Sequence, residues 1–463
     1  MHGDTIALRV SNEPKSETGA MRVPTSQISR SFLPIVLACA LTAVAALTLA
    51  EAEPLKAKVT LQDFARPSSI PVPAGNPSTP EKVALGAALF VDTRLSRDGS
   101  TACITCHDPS QGFSDGASRG KGIAGVPLKR NTPTLWNLAW GNSFFWDGRA
   151  ATLEDQAKGP IEHPLEMDMP LSKAADALKA DAKTVAAFKS VFGEEGVSEA
   201  NILKALAAYE RTLVSPVTRF DRWVEGDETA LTPYEKKGYN LFAGRAGCAR
   251  CHSGWRFTDE AYHDIGLPDA TDKGRGPVAG LAHMTTAFKT PTLRELVWTG
   301  PYLHDGSMAT IEGVNDHYFG GIENLRSTLS KDLDVFVPVF TEERKQLTAF
   351  LKTLSSETPP QPLALPMSAV APEKIAAVET KQVSQRGSAF APAAVRIRKG
   401  EALTILNDDD RAHSTVVTDP RLTFSDGVQE PGQSVEIKFP QSGTFTVACA
   451  IHPGMKLTVE VID

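Results

Sequence analysis

The sequence predicts a mostly helical chain that ends in an all-β sandwich, and two observations carry this expectation. First, Thr132–Asp155 aligns without a gap with Thr290–Gly313, which indicates that one helical unit occurs twice. Second, Ala394–Leu406 and Val435–Val447 alternate apolar and polar residues, as half-buried strands do, and Lys456–Val461 continues this pattern. Two related helical domains followed by a sandwich are therefore expected.

Local signals place the helices and the boundaries between domains. Thr232–Glu235 is a capping box with proline at the first helical position, and Thr79–Glu81 opens a comparable helix. Thr358–Pro372 is rich in proline, which favours a semi-rigid polyproline spacer. The predicted segments are 53–225 and 226–355 for the helical domains, 356–372 for the linker and 373–463 for the sandwich.

Composition excludes several classes of protein. The 463 residues include 48 Lys and Arg against 55 Asp and Glu, a net charge of −7 without a long basic run, which argues against binding nucleic acid through bulk charge. Hydrophobic residues at 41% and charged residues at 22% fit globular domains rather than a disordered or fibrous chain. Six cysteines are too few, and too unevenly spaced, for a disulfide-stapled fold, so we expect them to hold something other than each other.

The N-terminal segment predicts export. Residues 32–50 form an uncharged apolar run that follows Arg22 and Arg30, and Ala50–Ala52 fits a signal-peptidase site. Residues 1–52 are therefore expected to be a secretory signal that sends the chain to the periplasm. The alternative is an uncleaved membrane anchor, because an apolar run of this length could just span a bilayer.

Four of the cysteines lie in two C-x-x-C-H motifs, Cys103–His107 and Cys248–His252. Two thiols at this spacing can form thioethers to a haem, and the adjacent imidazole then becomes an iron ligand. The alternatives are a four-cysteine zinc site or two disulfides. The sequence predicts two covalent c-type haems, held by Cys103, Cys106 and His107 and by Cys248, Cys251 and His252.

The last cysteine lies in a different motif. Cys449, His452 and Met455 form C-x-x-H-x-x-M, and His413 precedes them between the predicted strands. Two imidazoles and a thiolate with a weak axial thioether make a type 1, blue-copper site. The alternative is a copperless sandwich with a buried thiol. This segment resembles the cupredoxins, and its short ligand loop is similar to that of the amicyanins.

The repeat also predicts how the two haems differ. Extended past its last identities, the alignment pairs Pro160 with Tyr318. If this position faces the iron opposite the histidine, proline cannot ligate iron whereas a tyrosine phenolate can. The first haem would then be open and the second closed by Tyr318. The other candidates for the closing ligand are Met308, Met284 and His317.

Residues 60–355 resemble the dihaem bacterial cytochrome c peroxidase/MauG family. The resemblance is carried by Cys103–His107, Asn131–Thr134, Phe145–Ala150, Gln156–Pro160, Leu165–Met167, Lys289–Arg294 and Pro301–Gly306. It implies two cytochrome c-like helical domains, the first with the peroxidatic haem and the second with the electron-transfer haem, facing a shared interface.

The resemblance also implies residue roles. Trp146 matches the tryptophan that relays electrons between the haems, although it could only pack. Glu166 matches the distal carboxylate that handles the protons of peroxide, with Gln156 as its neighbour, although it could be a surface charge. The family's inter-haem calcium site implies ligation by Asn131 and the backbone oxygens of Thr299 and Pro301, a set of oxygens that suits calcium.

Departures from the family pattern bear on the function. Members of the peroxidase branch carry a removable histidine after the first haem motif, and Asp108–Arg149 contains none. Tyr318 stands where that branch has methionine, as in the MauG branch. Ala246 replaces the surface tryptophan of the MauG type, which argues against long-range oxidation of a protein.

The leading expectation is a periplasmic enzyme that reduces hydrogen peroxide at the first haem, with electrons relayed from the second haem and the copper domain. One alternative is a MauG-like enzyme that oxidises a protein partner to mature its cofactor. Another is a copper–haem electron carrier without enzymatic activity. A small cytochrome or another redox protein is the expected electron donor. The sequence is also compatible with a homodimer.

Overall fold

The computed structural model describes residues 59–463 except 323, 334–336, 365–366 and 371–374, with the backbone alone at 368–370. The predicted signal at 1–52, and its membrane-anchor alternative, lie outside these residues. Among the helices within them, none is long and apolar enough to cross a membrane. The described residues all belong to one contact unit, Lys56–Asp463.

The helical part of the chain consists of short helices around two cores. The first seven helices are α1 (Pro80–Phe90), α2 (Cys103–Cys106), α3 (Leu153–Glu162), α4 (Leu171–Lys179), α5 (Ala182–Phe192), α6 (Glu199–Glu210) and α7 (Arg219–Val224). The others are α8 (Pro233–Ala243), α9 (Arg275–Ala279), α10 (Ile311–Phe319) and α11 (Thr341–Lys352). Both predicted helix starts are confirmed: Thr232 and Glu235 form the capping box that starts α8, and Thr79 caps α1 by accepting a hydrogen bond from Lys82 N.

Each core contains one close crossing of two helices, and a glycine permits it. In the first lobe, residues 65–218, a Cβ at Gly86 of α1 would lie 2.0 Å from the Ala205 backbone oxygen of α6. In the second lobe, residues 219–355, a Cβ at Gly238 of α8 would lie 2.0 Å from the Gln346 backbone oxygen of α11. Only glycine lets the backbones approach this closely. The two lobes therefore repeat the same crossing.

The segments that flank the first lobe pack into the second core. Phe64, Phe220 and Trp223 lie together with Phe257 and Phe350 in one buried aromatic cluster. Burying such side chains is the main favourable term in folding. The core of the second lobe therefore includes Phe64, which precedes the first lobe in the chain, beside the lobe's own Phe220 and Trp223.

The C-terminal part is a two-sheet β sandwich, as the alternating pattern predicts. Its strands are β5 (Val378–Glu379), β6 (Gln382–Arg386), β7 (Ala389–Ala391), β8 (Ala394–Arg398), β9 (Ala402–Asn407), β10 (Thr415–Asp419), β11 (Leu422–Ser425), β12 (Ser434–Lys438), β13 (Gly443–Cys449) and β14 (Lys456–Ile462). One sheet has the order β11-β10-β13-β14-β8-β5 and the other β12-β9-β6-β7. The predicted fold class, mostly helical with a C-terminal sandwich, is confirmed.

Two further pairs of short strands lie outside the sandwich. Strand β1 (Ile70–Pro73) pairs in parallel with β4 (Met367–Val370), and β2 (Tyr262–His263) pairs with β3 (Phe288–Lys289). Strand β4 lies within the segment predicted to be a semi-rigid polyproline spacer, and upstream of it Leu363 N donates a hydrogen bond to Val214 O at 2.8 Å. The described part of the linker is therefore attached to the first lobe.

Candidate functional site

A cavity of about 1270 Å³ lies between the two lobes. It is larger than the pocket of a single drug-sized ligand. Residues of both C-x-x-C-H motifs line it: Cys103, Cys106, His107, Cys248, Cys251 and His252. Within the described residues all five cysteines are free thiols, so the predicted alternative of two disulfides is absent there.

The two motif histidines have matching environments. His107 donates its Nδ1–H to the Phe113 backbone oxygen at 2.9 Å, and His252 donates its own to Phe257 at 3.0 Å. Such a bond fixes the ring and leaves Nε2 as the ligating nitrogen. Burial lowers the pKa of both imidazoles, which favours the neutral form that binds metal. The thiols, the histidines and the shared cavity fit two covalent haems.

The distal residues predicted for the first haem lie together on the cavity wall. Gln156 and Pro160 are on α3, and Glu166 follows on the loop after it. The backbone oxygen of Glu166 accepts a hydrogen bond from Ile123 N at 2.8 Å, which fixes this loop against the Ile123 segment of the same lobe. Burial raises the pKa of the Glu166 carboxyl, although the charges of His163 and Arg149 oppose that shift.

Of the four candidates for the closing ligand, Tyr318 of α10 is the one that lines the cavity with His252. Met284 is buried in a core shared with the sandwich, and Met308 pairs with Tyr302 in a β-bridge. His317 donates its Nε2–H to the Ile265 backbone oxygen at 2.9 Å. Burial raises the pKa of the Tyr318 hydroxyl.

Trp146 lies at the boundary between the lobes. Its indole N–H donates to the Asn131 backbone oxygen at 3.0 Å, and its backbone oxygen accepts from Lys289 N at 2.8 Å. The Trp146 ring meets His304 edge-on, with centroids 6.5 Å apart. The other residues predicted for calcium, Thr299 and Pro301, line the same cavity as Asn131.

The predicted copper ligands converge at one end of the sandwich. Nδ1 of His413 lies 3.7 Å from Cys449 Sγ, Nδ1 of His452 lies 3.5 Å from it, and the two Nδ1 atoms are 3.1 Å apart. Ligands about 2.0–2.3 Å from one ion are separated by such distances. Met455 is buried beside them. The four side chains thus fit a type 1 copper ion.

The environment of the thiol suits a metal ligand. Burial disfavours the charged form of Cys449, yet hydrogen bonds with His413 and His452 lower the pKa of its thiol to about 5. The backbone N–H groups of Ser414 and His452 also point to Sγ, each at 3.4 Å. A thiolate is therefore favoured at this position.

Two features of these sites escape a sequence-based analysis. Asp409 Oδ2 accepts the Nε2–H of His413 at 3.2 Å and orients that ring. Asp259 and His263 lie beside Cys251, with one donor atom of each residue within 4.8 Å of the others. Since Cys251 belongs to a haem motif, this cluster is part of the haem environment. The i, i+4 spacing within each Asp–His pair is the one signal that the sequence offers.

The end of the sandwich that carries the copper ligands packs on the second lobe. Tyr262 N donates to the Ile451 backbone oxygen at 3.3 Å, and Ile451 immediately precedes His452. Ala261, Tyr262, Met284 and Ala287 join the sandwich residues in one apolar core. The copper-ligand loop is therefore buried against the lobe of the second haem motif.

Known proteins resemble both parts of the chain. Residues 80–229 match the family described as di-haem cytochrome c peroxidase, and residues 376–462 match copper binding proteins of the plastocyanin/azurin family. The chain is 50% identical over 306 residues to the methylamine utilization protein MauG of Methylorubrum extorquens, an alignment that covers 65% of this chain and 86% of that relative. It is 36% identical over 278 residues to the cytochrome c551 peroxidase of Pseudomonas aeruginosa, which covers 57% and 80% respectively.

Among solved structures, the chain is similar to a MauG-like protein associated with microbial copper homeostasis. That match has a TM-score of 0.59 and 29% identity, and it covers 64% of this chain and 95% of that one. The family and the copper-binding domain imply haem c and copper as cofactors. The relatives are oxidoreductases, so the alternative of a pure electron carrier gains no support. The chain belongs to the dihaem cytochrome c peroxidase/MauG family and carries a plastocyanin/azurin-type copper-binding domain at its C-terminal end.

Proposed function

We propose that this protein is a periplasmic enzyme that reduces hydrogen peroxide at the haem of Cys103–His107. The observation that carries the proposal is the difference between the distal positions on the cavity wall, Pro160 in the first lobe and Tyr318 in the second. Proline offers no ligand to iron, whereas tyrosine does. Peroxide can therefore reach the first iron, while the second is reserved for electron transfer.

The residues around the first site handle the protons. When bound, the haems and the copper supply the two electrons that, with two protons, convert one hydrogen peroxide into two waters. Glu166 would accept a proton from one oxygen of the peroxide and return it to the other as the O–O bond breaks, and Gln156 would orient the peroxide beside it. General acid–base help of this kind contributes about 10²–10⁴-fold to a rate.

Electrons would pass from bound copper in the C-terminal domain to the haem held at Cys248–His252, and Trp146 would relay them to the haem held at Cys103–His107. The burial of the copper-ligand loop on the second lobe supports this order. A donor fused to the enzyme reacts at a high effective concentration, which no separate carrier reaches at ordinary levels. A small cytochrome or another redox protein would then reduce the copper again. Calcium held by Asn131, Thr299 and Pro301 would keep the route between the haems in place.

A second candidate is oxidation of a protein partner, as in MauG. The relatives that favour it are the methylamine utilization proteins MauG, at 50% identity in Methylorubrum extorquens and 44% in Methylophilus methylotrophus. The replacement of a surface tryptophan by Ala246 stands against it.

Steady-state consumption of peroxide tests the proposal. The full chain, loaded with haem and copper and supplied with ascorbate, is expected to consume one peroxide for every two electrons without a protein partner. Cys449→Ala removes the copper thiolate, and its turnover from ascorbate is expected to fall, whereas Ser442→Ala in the same domain is expected to leave it unchanged. Consumption that starts only when a protein partner is added, and that leaves this partner oxidised, would favour the second candidate instead.

A further inference from the structure

We propose that the two-residue strand β2, Tyr262–His263, is the electron path between the copper and the second haem. Tyr262 contacts the copper-ligand loop, and His263, the next residue, contacts the cysteine that holds the haem. The inference rests on the proposed transfer from copper to haem and assigns a route to it. It makes His263 a positioning residue for that transfer.

On the copper side, the contact is a backbone hydrogen bond. Tyr262 N donates to Ile451 O at 3.3 Å, and one peptide bond then leads to His452, a predicted copper ligand. The loop lies so close to the helical part that a Cβ at Gly454 would be 2.8 Å from Asn142 Nδ2. Because this side of the loop is buried, the interface resembles a domain core rather than a transient encounter surface.

On the haem side, the path ends at Cys251. The imidazole of His263 and the carboxylate of Asp259 each place an atom within 4.8 Å of the Cys251 sulfur. Asp259 N also donates to the Cys251 backbone oxygen at 2.7 Å. Cys251 would hold the second haem through a thioether, so these contacts would join His263 to that cofactor. The path therefore runs from Ile451 through its hydrogen bond to Tyr262, along the chain to His263, and across the contact within 4.8 Å to Cys251.

The ring of His263 is held on both sides. Its Nε2–H donates to Asp259 Oδ2 at 3.0 Å, and its Nδ1 lies 2.8 Å from Ser330 Oγ. Arg411 of the copper domain approaches Asp259 to 3.9 Å, so both domains contribute to this arrangement. A buried ring with fixed partners has little freedom to reorient when charge passes. Such rigidity is what positioning residues supply in metal sites.

The transfer itself is a one-electron step. Copper held at His413 and Cys449–Met455 would supply one electron, the haem held at Cys248–His252 would accept it, and no bond would form or break. Two such steps supply the electrons for one peroxide. Because the Tyr262 side of the ligand loop is buried within the chain, an external donor has to reach the copper from another side.

The test measures the transfer directly, in the loaded full chain. A light pulse with a soluble photoreductant reduces the copper, and optical bands of copper and haem follow the electron. His263→Leu is expected to slow the transfer about tenfold or more, by analogy with the loss of an outer-shell partner. His263→Gln keeps hydrogen-bonding groups for Asp259 and Ser330 but lacks the ring, so it is expected to slow the transfer as well. It also serves as the test variant if His263→Leu does not fold.

His283→Leu is the matched control. His283 belongs to the same lobe and does not line the haem cavity, and its buried Nε2 has no hydrogen-bond partner among the described residues. This variant is expected to keep the wild-type rate. Wild-type transfer rates in folded His263→Leu or His263→Gln would overturn the assigned path and leave the proposed function standing. Absence of any transfer from copper to haem in the wild-type protein would overturn the electron order of the proposed function itself.

Discussion

The indole N–H of Trp146 donates a hydrogen bond to the backbone oxygen of Asn131 at 3.0 Å. This bond joins the proposed electron relay to a proposed calcium ligand. Asn131 is itself fixed by two more bonds, from its backbone N–H to His304 O at 2.8 Å and from its Nδ2 to Ala117 O at 2.9 Å. The position of the indole between the lobes therefore depends on the Asn131 backbone.

Replacement of the indole should separate peroxide chemistry from electron relay. Trp146→Phe removes the hydrogen bond to Asn131, and we expect a loss of about 1 kcal/mol in the free energy of unfolding. Peroxide should still react at the first haem, but the optical response of the second haem should be delayed. Trp298→Phe is the control, because Trp298 also donates its indole N–H to a backbone oxygen, Ser356 O at 3.1 Å, and does not line the cavity. Simultaneous haem responses in Trp146→Phe would contradict the relay.

Removal of calcium should affect the same step. If Asn131, Thr299 and Pro301 hold the ion, a chelator frees the backbone that positions Trp146, and the response of the second haem should slow. Added Ca²⁺ should restore it and added Mg²⁺ should not, because Mg²⁺ demands a tighter octahedral set and sheds its water reluctantly. Unchanged kinetics after the chelator, with calcium shown to be absent by elemental analysis, would count against this ion.

Glu166 should control the rate at which peroxide reacts. Glu166→Gln cannot accept the proton, so we expect a fall of about 10²–10⁴-fold in stopped-flow measurements. Since the carboxylate form is the base and burial raises its pKa, the wild-type rate should increase with pH through this raised value. Glu162→Gln is the matched control, because Glu162 lies on the same segment but outside the cavity wall. A pH-independent wild-type rate, or a Glu166→Gln variant that reacts as fast as the wild type, would contradict the role of Glu166 as the base.

The open distal side can be closed by substitution. Pro160→His places an imidazole at the position that Tyr318 occupies in the other lobe, and we expect the variant to lose its reaction with peroxide. Pro160→Ala also restores the backbone N–H to α3 but offers no ligand, so it should react as the wild type does. Spectra of the oxidised proteins should report a closed first haem in Pro160→His alone. Equal reactivity of both variants would mean that this position does not face the iron.

Asp409 should stabilise the copper site from outside the ligand set. Asp409→Ala removes the acceptor 3.2 Å from His413 Nε2, and loss of such a partner costs about 10–100-fold in metal affinity. Competition with a copper chelator measures the change. Asp408→Ala is the control, because its carboxylate lies near Ser384 Oγ at 3.3 Å and Arg386 at 3.9 Å rather than a copper ligand. The same copper affinity in both variants would argue against this contribution.

Features encoded within short segments are predictable from the sequence. The motifs Cys103–His107 and Cys449–Met455 contain several ligands within one turn or loop, so their spacing predicts the chemistry. The alternating runs are strands, because burial of one face imposes a period of two. Ala394–Leu406 is divided between β8 and β9, Val435–Val447 between β12 and β13, and Lys456–Val461 lies in β14. The predicted fold class is confirmed because it, too, depends on patterns within the sequence: the internal repeat of the helical unit and the alternation of the C-terminal strands.

Features that depend on docking are not predictable in this way. The bond between Tyr262 and Ile451 joins residues far apart in the chain, and nothing in either segment indicates the other. Proline content predicted a spacer at Thr358–Pro372, yet composition reports local backbone preference alone and could not reveal that β4 pairs with β1. In the acidic turn before His413, the i, i+4 spacing is the one sign that Asp409, rather than its neighbours, would bond to the imidazole.

The central claim is that the first haem is open and the second is closed. Rapid mixing of the fully oxidised protein with one equivalent of hydrogen peroxide, followed by optical and spin-resonance spectra, tests it most directly. Copper starts oxidised, so any change must come from the haems. We predict a fast spectral change at the haems without prior reduction. A reaction that begins only after one haem has been reduced would contradict the account, because some ligand would then close the first haem in the oxidised state.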